Sequence, residues 1–165
     1  MSDNRWVKVG LPLLIALAAA WWLSSGGKSS EEEAIRKRLA EGKAAWEAQD
    51  TEKFMSFFDV TYEDRSGVLN YPLLKEYHLH HLFKDRCQLR ADIQGVRIQV
   101  AGTKATVTFD ATGSKDCSGS GPVYFVGQPG HATPITLELE KKGKVNPAWV
   151  VVRSSGAVNA DNLAG

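Results

Sequence analysis

One stretch of this chain constrains it more than any other: residues 6–23, WVKVGLPLLIALAAAWWL, in which no charge interrupts the run from Val9 to Leu23. A helix over this stretch reaches about 27 Å, close to the hydrocarbon thickness of a bilayer. Lys8 can snorkel to the headgroups, and Trp6, Trp21 and Trp22 stand where interfacial aromatics belong. Pro12 falls near the start, where a late first turn is tolerated. A cleaved signal peptide is the alternative, but no small-x-small site follows the apolar run. Trp21 and Trp22 occupy the place where cleavage would fall, leaving Ser24-Ser25-Gly26 as a poor substitute. The reading is a retained single span.

Arg5 and Lys8 precede most of the apolar run, whereas Lys28 follows it and is met by Glu31-Glu32-Glu33. This bias places residues 1–5 in the cytoplasm and the chain after the span outside, which in a bacterium means an inner-membrane anchor with a periplasmic domain. Residues 24–30 read as a flexible linker, residues 31–153 as the domain, and residues 154–165 as a flexible tail. A chain of 165 residues holds one ordinary domain beside such an anchor. Its net charge of +1 lacks the basic excess a nucleic-acid partner would need. Two cysteines cannot make an all-cysteine zinc site. In an oxidising compartment Cys87 and Cys117 have one possible pairing, and a disulfide is expected; two buried free thiols are the alternative.

Within the domain, Ser29 and Ser30 each precede a glutamate by three residues and can cap a helix that runs to about Gln49. Ile35, Leu39, Gly42 and Trp46 form its inner stripe. Asp50 caps a second helix, TEKFMSFF, and a short strand follows over residues 60–64. Asn70 and Pro72 open a third helix carrying Leu73, Leu74, Tyr77, His81 and Leu82. The period then changes to two. Val96, Ile98 and Val100 pair as a hairpin with Ala105, Val107, Phe109 and Ala111. Gly113 to Pro122 reads as a Gly/Ser loop, and further strands fall around residues 124–126, 135–139 and 149–153.

Three helices followed by antiparallel strands predict an α+β domain with helices packed on one curved antiparallel sheet. The element order, with AWEAQDTEKFMSFFD before TYEDRSG, a helix after NYP and the closing hairpin LELEKKGKVNPAWVVV, resembles the nuclear-transport-factor-2-like (SnoaL-like, cystatin-like cone) superfamily. The resemblance implies a cone with a pocket between sheet and helices. It also makes Asp64 the counterpart of the general base of the ketosteroid isomerases, with Tyr62 and His81 near the same mouth. In those enzymes a tyrosine and a carboxylic acid form the oxyanion hole. The matching positions here are Gly42 and Thr136, neither a strong donor, and Arg65 beside Asp64 favours a plain carboxylate.

His78, His81 and Asp85 are the candidate metal ligands, since i,i+3 and i+4 spacing on a helix can converge two imidazoles and a carboxylate. The plainer reading is a helix with polar faces. Trp46 and Trp149 fit core positions, and the Lys141-Lys142-Gly143-Lys144 tip fits a solvated turn. No nucleophile elbow, P-loop or dinucleotide fingerprint is present, and no cofactor is implied. The expectation is therefore a non-catalytic, membrane-anchored accessory or scaffold subunit of a respiratory, photosynthetic or secretion complex. A tethered small-ligand-binding protein or isomerase-like enzyme using the cone pocket is the alternative.

Overall fold

The computed structural model describes residues 29–119 and 121–156. The anchor read over residues 6–23, with Trp6, Lys8, Trp21 and Trp22, lies outside the described residues. So do the rest of residues 1–28 and the segment after residue 156. Among the described residues no helix is long and apolar enough to cross a membrane.

Helix α1 (Ser30–Glu47) starts where Ser29 accepts from the Glu32 N–H at 3.2 Å, with Glu31, Glu32 and Glu33 in the first turn, where the helix dipole favours them. Its inner stripe is the expected one: Ile35 has no exposed surface and Trp46 is buried. Asp50 caps α2 (Thr51–Met55), which is shorter than the sequence suggested because Phe58 already belongs to β1 (Phe58–Asp64). Asn70 then caps α3 (Tyr71–Tyr77), and the chain continues into a π-helical turn, His78–Leu82, closed by Phe83 N–H donating to the His78 carbonyl at 2.9 Å.

The sheet comprises β1, β2 (Gln88–Ala101), β3 (Lys104–Asp116), β4 (Val123–Val126), β5 (Thr133–Lys142) and β6 (Ala148–Ser155), in the order β1-β6-β5-β3-β2 with β4 on β3. It is mixed, which corrects the expectation of a wholly antiparallel sheet: β1 pairs with β6 in parallel, and every other pair is antiparallel. Strand β3 gives one edge to β2 and shares the other between β5, over 104–111, and β4, over 113–115. Residues 113–116, read as loop, are therefore strand. Ser154, read as the start of a tail, is buried in β6.

A bulge in β2 bends the sheet. Gln94 faces Asp110 and Arg97 faces Thr108, so two residues oppose one, and Gly95 supplies the required positive φ of 63°. The free edge of β2 and the residue before it are covered by side chains from α1 and from Gln49, just past its end. Arg36 donates to the Val96 carbonyl, Glu47 accepts from the Ala91 N–H at 2.9 Å, and Gln49 donates to the Cys87 carbonyl. Those bonds satisfy groups that would otherwise invite another strand. Cys87 and Cys117 form a disulfide that joins the start of β2 to the end of β3.

The core lies between the helices and the inward face of the sheet, built on Val107, Phe109, Leu139, Trp149 and Val151 against Ile35, Met55 and Leu74. Lys141 and Lys142 lie in β5 rather than in a free turn. Lys141 bridges Glu31 at 2.6 Å and Lys142 bridges Asp59 at 3.0 Å.

Candidate functional site

Between α1 and the sheet lies a cavity of about 290 Å³. Its walls are mainly apolar, from Leu39, Leu74, Ile93, Phe109, Leu137 and Val126 among others. Rings dominate one side, where successive centroids lie 4.7 Å (His78–Phe54), 5.2 Å (Phe54–Phe58) and 5.0 Å (Phe58–Tyr62) apart. Among the described residues no carboxylate lines the cavity. Two cations reach its wall, and both are engaged elsewhere. Arg38 donates to the carbonyls of Ser56 (2.7 Å) and Trp149 (3.3 Å), and Lys43 bridges Glu47 at 2.8 Å.

Asp64, the acid singled out from the sequence, does not line this cavity. Its carboxylate closes the turn after β1: Leu69 N–H donates to Oδ1 at 2.6 Å, and Oδ2 accepts from the N–H (3.1 Å) and hydroxyl of Ser66. Burial alone would raise its pKa. The hydrogen bonds from the Ser66 side chain and the backbone of Leu69, Ser66 and Val68 outweigh burial and hold the carboxyl below its ordinary value. Such a group is a turn clamp with no lone pair reserved for substrate. Arg65 turns away to Glu138 at 2.9 Å.

Tyr62 does line the cavity. Its hydroxyl lies 2.6 Å from Ser154 Oγ, across the parallel β1–β6 pair. Burial raises its pKa above the ordinary tyrosine value, against the hydrogen bond with Ser154, and the charge of Asp64 adds to the rise. His78 also lines the cavity, almost fully buried, with Nδ1 2.7 Å from the Leu74 carbonyl oxygen. Removal from water holds its imidazole down, at a pKa of about 4, so the ring is neutral near pH 7.

The remaining candidates are not brought together. The π-helical turn carries one more residue per hydrogen-bonded loop than an α-turn, which rotates His81 away from His78. His81 is exposed and stacks on Tyr77 at 5.6 Å, and Asp85 is exposed as well. Thus His81 is not a cavity residue, and His78, His81 and Asp85 do not converge on a metal. No cluster of three or more potential ligands occurs among the described residues. Gly42 lines the cavity, as the resemblance placed it. Thr136 does not, and its neighbours Ile135 and Leu137 do, both apolar.

Ser154 is a cavity residue that the sequence does not reveal, because SSG at a strand end reads as a tail. In the sequence His78 reads as a candidate metal ligand or as part of a polar helix face. Its position one helical turn after Leu74, on the buried stripe, was the available signal.

No protein-family model and no curated protein sequence matches the chain. Solved structures do. An NTF2-like protein from Cytophaga hutchinsonii superposes with a TM-score of 0.57 at 9% identity, over 76% of this chain and 95% of the other. Here the chain has the NTF2-like cone fold. A protein from Novosphingobium aromaticivorans described as a candidate scytalone dehydratase gives 0.56 at 14% identity, over 75% and 80%. Bd1075 from Bdellovibrio bacteriovorus gives 0.58 at 16%, over 78% of this chain and 41% of its own length. Identities this low establish the fold and leave activity to the site itself.

Proposed function

We propose that the chain is a membrane-anchored accessory protein whose NTF2-like domain is exported and holds one small apolar molecule in its cone cavity. The cavity carries this reading: an apolar, ring-lined space with few polar groups is the form that small-molecule sites take. Each apolar Å² withdrawn from water there contributes roughly 25 cal/mol to binding. The anchor rests on residues 6–23 and their flanking charges. The Cys87–Cys117 disulfide supports export, because an oxidising compartment is where such a bond persists. Docking to a larger bacterial inner-membrane assembly through the span and the domain belongs to the same reading.

Binding is favoured over turnover by the position of Asp64, whose oxygens are committed to a turn outside the cavity. An isomerase- or dehydratase-like reading would have to move a proton with His78, Tyr62 or Tyr77, the ionisable groups of the aromatic wall. One likeness, to the candidate dehydratase, speaks for it. An imidazole held near pKa 4 is a weak base at neutral pH.

Native mass spectrometry of the full chain released from lipid nanodiscs tests the proposal. The expected spectrum contains one small organic adduct per chain, either co-purified or acquired from added 1-methylnaphthalene. A bare chain under both conditions contradicts it.

A further inference from the structure

Resting on that reading, we infer that the preferred occupant is a neutral, ring-sized apolar molecule carrying a hydroxyl group, whose O–H donates to Nε2 of His78. Nδ1 of His78 lies 2.7 Å from the Leu74 carbonyl oxygen, and a carbonyl oxygen only accepts. Nδ1 therefore carries the proton. A neutral imidazole has one, so Nε2 is a bare acceptor. His78 is 5% exposed and is part of the cavity wall. Around it stand the rings of Phe54, Tyr77 and Phe83, at centroid distances of 4.7, 5.7 and 5.3 Å. No polar side chain among the described residues pairs with Nε2.

Of the hydroxyls on the wall, those of Tyr62, Tyr77, Thr112 and Ser154, two are already paired. Tyr62 and Ser154 bond to each other at 2.6 Å, whichever of them donates. An anionic ligand would meet a lone pair in an apolar space, with Arg38 and Lys43 already committed to carbonyls and to Glu47. A cationic ligand would find no carboxylate among the described residues of the wall. A hydrocarbon would fill the space but strip Nε2 of water without replacing the bond. A hydroxyl on an apolar ring satisfies the cavity and the nitrogen together.

The test uses the full chain in lipid nanodiscs, with binding corrected for partition into empty discs. Three neutral probes of nearly equal shape are titrated: 1-naphthol, 1-methoxynaphthalene and 1-methylnaphthalene. The readouts are affinity and the ring-nitrogen resonances of His78. The expected result is about tenfold tighter binding of 1-naphthol than of either other probe, as one hydrogen bond to an otherwise unpaired acceptor supplies. The unprotonated-nitrogen resonance of His78 should move with 1-naphthol alone. In His78→Phe the preference should vanish while 1-methylnaphthalene still binds. Equal affinities of the three probes for the wild type, or a preference that survives in His78→Phe, overturn the inference and leave cavity binding standing. Failure of all three to bind overturns both. Should His78→Phe not fold, the comparison of probes on the wild type decides alone.

Discussion

Two buried polar groups of this domain contrast sharply. Asp64, at the end of β1, has both oxygens occupied by Ser66 and Leu69. His78, in the π-helical turn, lines the cavity and has one nitrogen held by Leu74, while no protein hydrogen bond is found for the other. The first is the residue type that sequence reasoning associates with catalysis; the second is a type easily taken for a packed core residue. Saturation of hydrogen-bonding capacity, rather than residue type, separates a structural polar group from one available to a ligand.

If that contrast holds, removing the saturated group harms the fold and spares the cavity. Asp64→Ala leaves the N–H groups of Leu69 and Ser66 without their acceptor. It should lower stability by about 3–4 kcal/mol in denaturant titrations while leaving 1-naphthol affinity unchanged. An unchanged midpoint would show that the turn does not depend on its clamp.

The second effect is smaller and depends on pH. His78 has its folded-state pKa depressed from 6.5 to about 4, so it is the folded protein that resists protonation. Its contribution is complete above about pH 6.5 and is lost as pH falls toward 4, by up to about 3 kcal/mol. Asp64, whose pKa is also lowered, acts below that window, losing its contribution only as pH drops beneath the ordinary carboxylate value. Stability curves of wild type and His78→Phe should therefore diverge between pH 6.5 and 4. Parallel curves across that interval would place the imidazole in water.

The contrast also shows how far the sequence could be read. The stripe Ile35–Leu39–Trp46 and the helix caps at Ser29, Asp50 and Asn70 were legible because each rests on a local rule, and the disulfide because two cysteines allow one pairing. The first half of β2 was not. Leu89, Ala91 and Ile93 alternate on odd positions, Val96, Ile98 and Val100 on even ones, and the bulge at Gly95 makes the change of phase. The parallel pairing of β1 with β6 escaped as well, since hairpin signals are local and these strands meet across most of the domain. With it went the Tyr62–Ser154 bond. His78 and His81 were read on α-helical spacing, which the π-helical turn breaks. Asp64 was the instructive case: Asp64-Arg65-Ser66-Gly67 is itself a turn signal, and Gly67 adopts the positive φ of 73° that it requires.

The smallest predicted effect sharpens the cavity side of the comparison. Gly42 sits inside α1 and lines the cavity, and a Cβ added there would meet the Phe57 ring at 3.5 Å, an ordinary contact. Gly42→Ala should raise stability by about 0.5–1 kcal/mol through helix propensity alone. A loss would mean that the wall is tighter than the contact distances indicate.

The central claim, that the ring-lined cavity and not the Asp64 turn is the functional site, is tested most directly by the affinity of 1-naphthol for two variants of the full chain in nanodiscs. Gly42→Leu projects a side chain from the cavity wall into the space, whereas Asp64→Asn changes only the turn. The expected result is at least about a tenfold loss of affinity for Gly42→Leu and wild-type affinity for Asp64→Asn. Undiminished binding in Gly42→Leu together with loss in Asp64→Asn would contradict it.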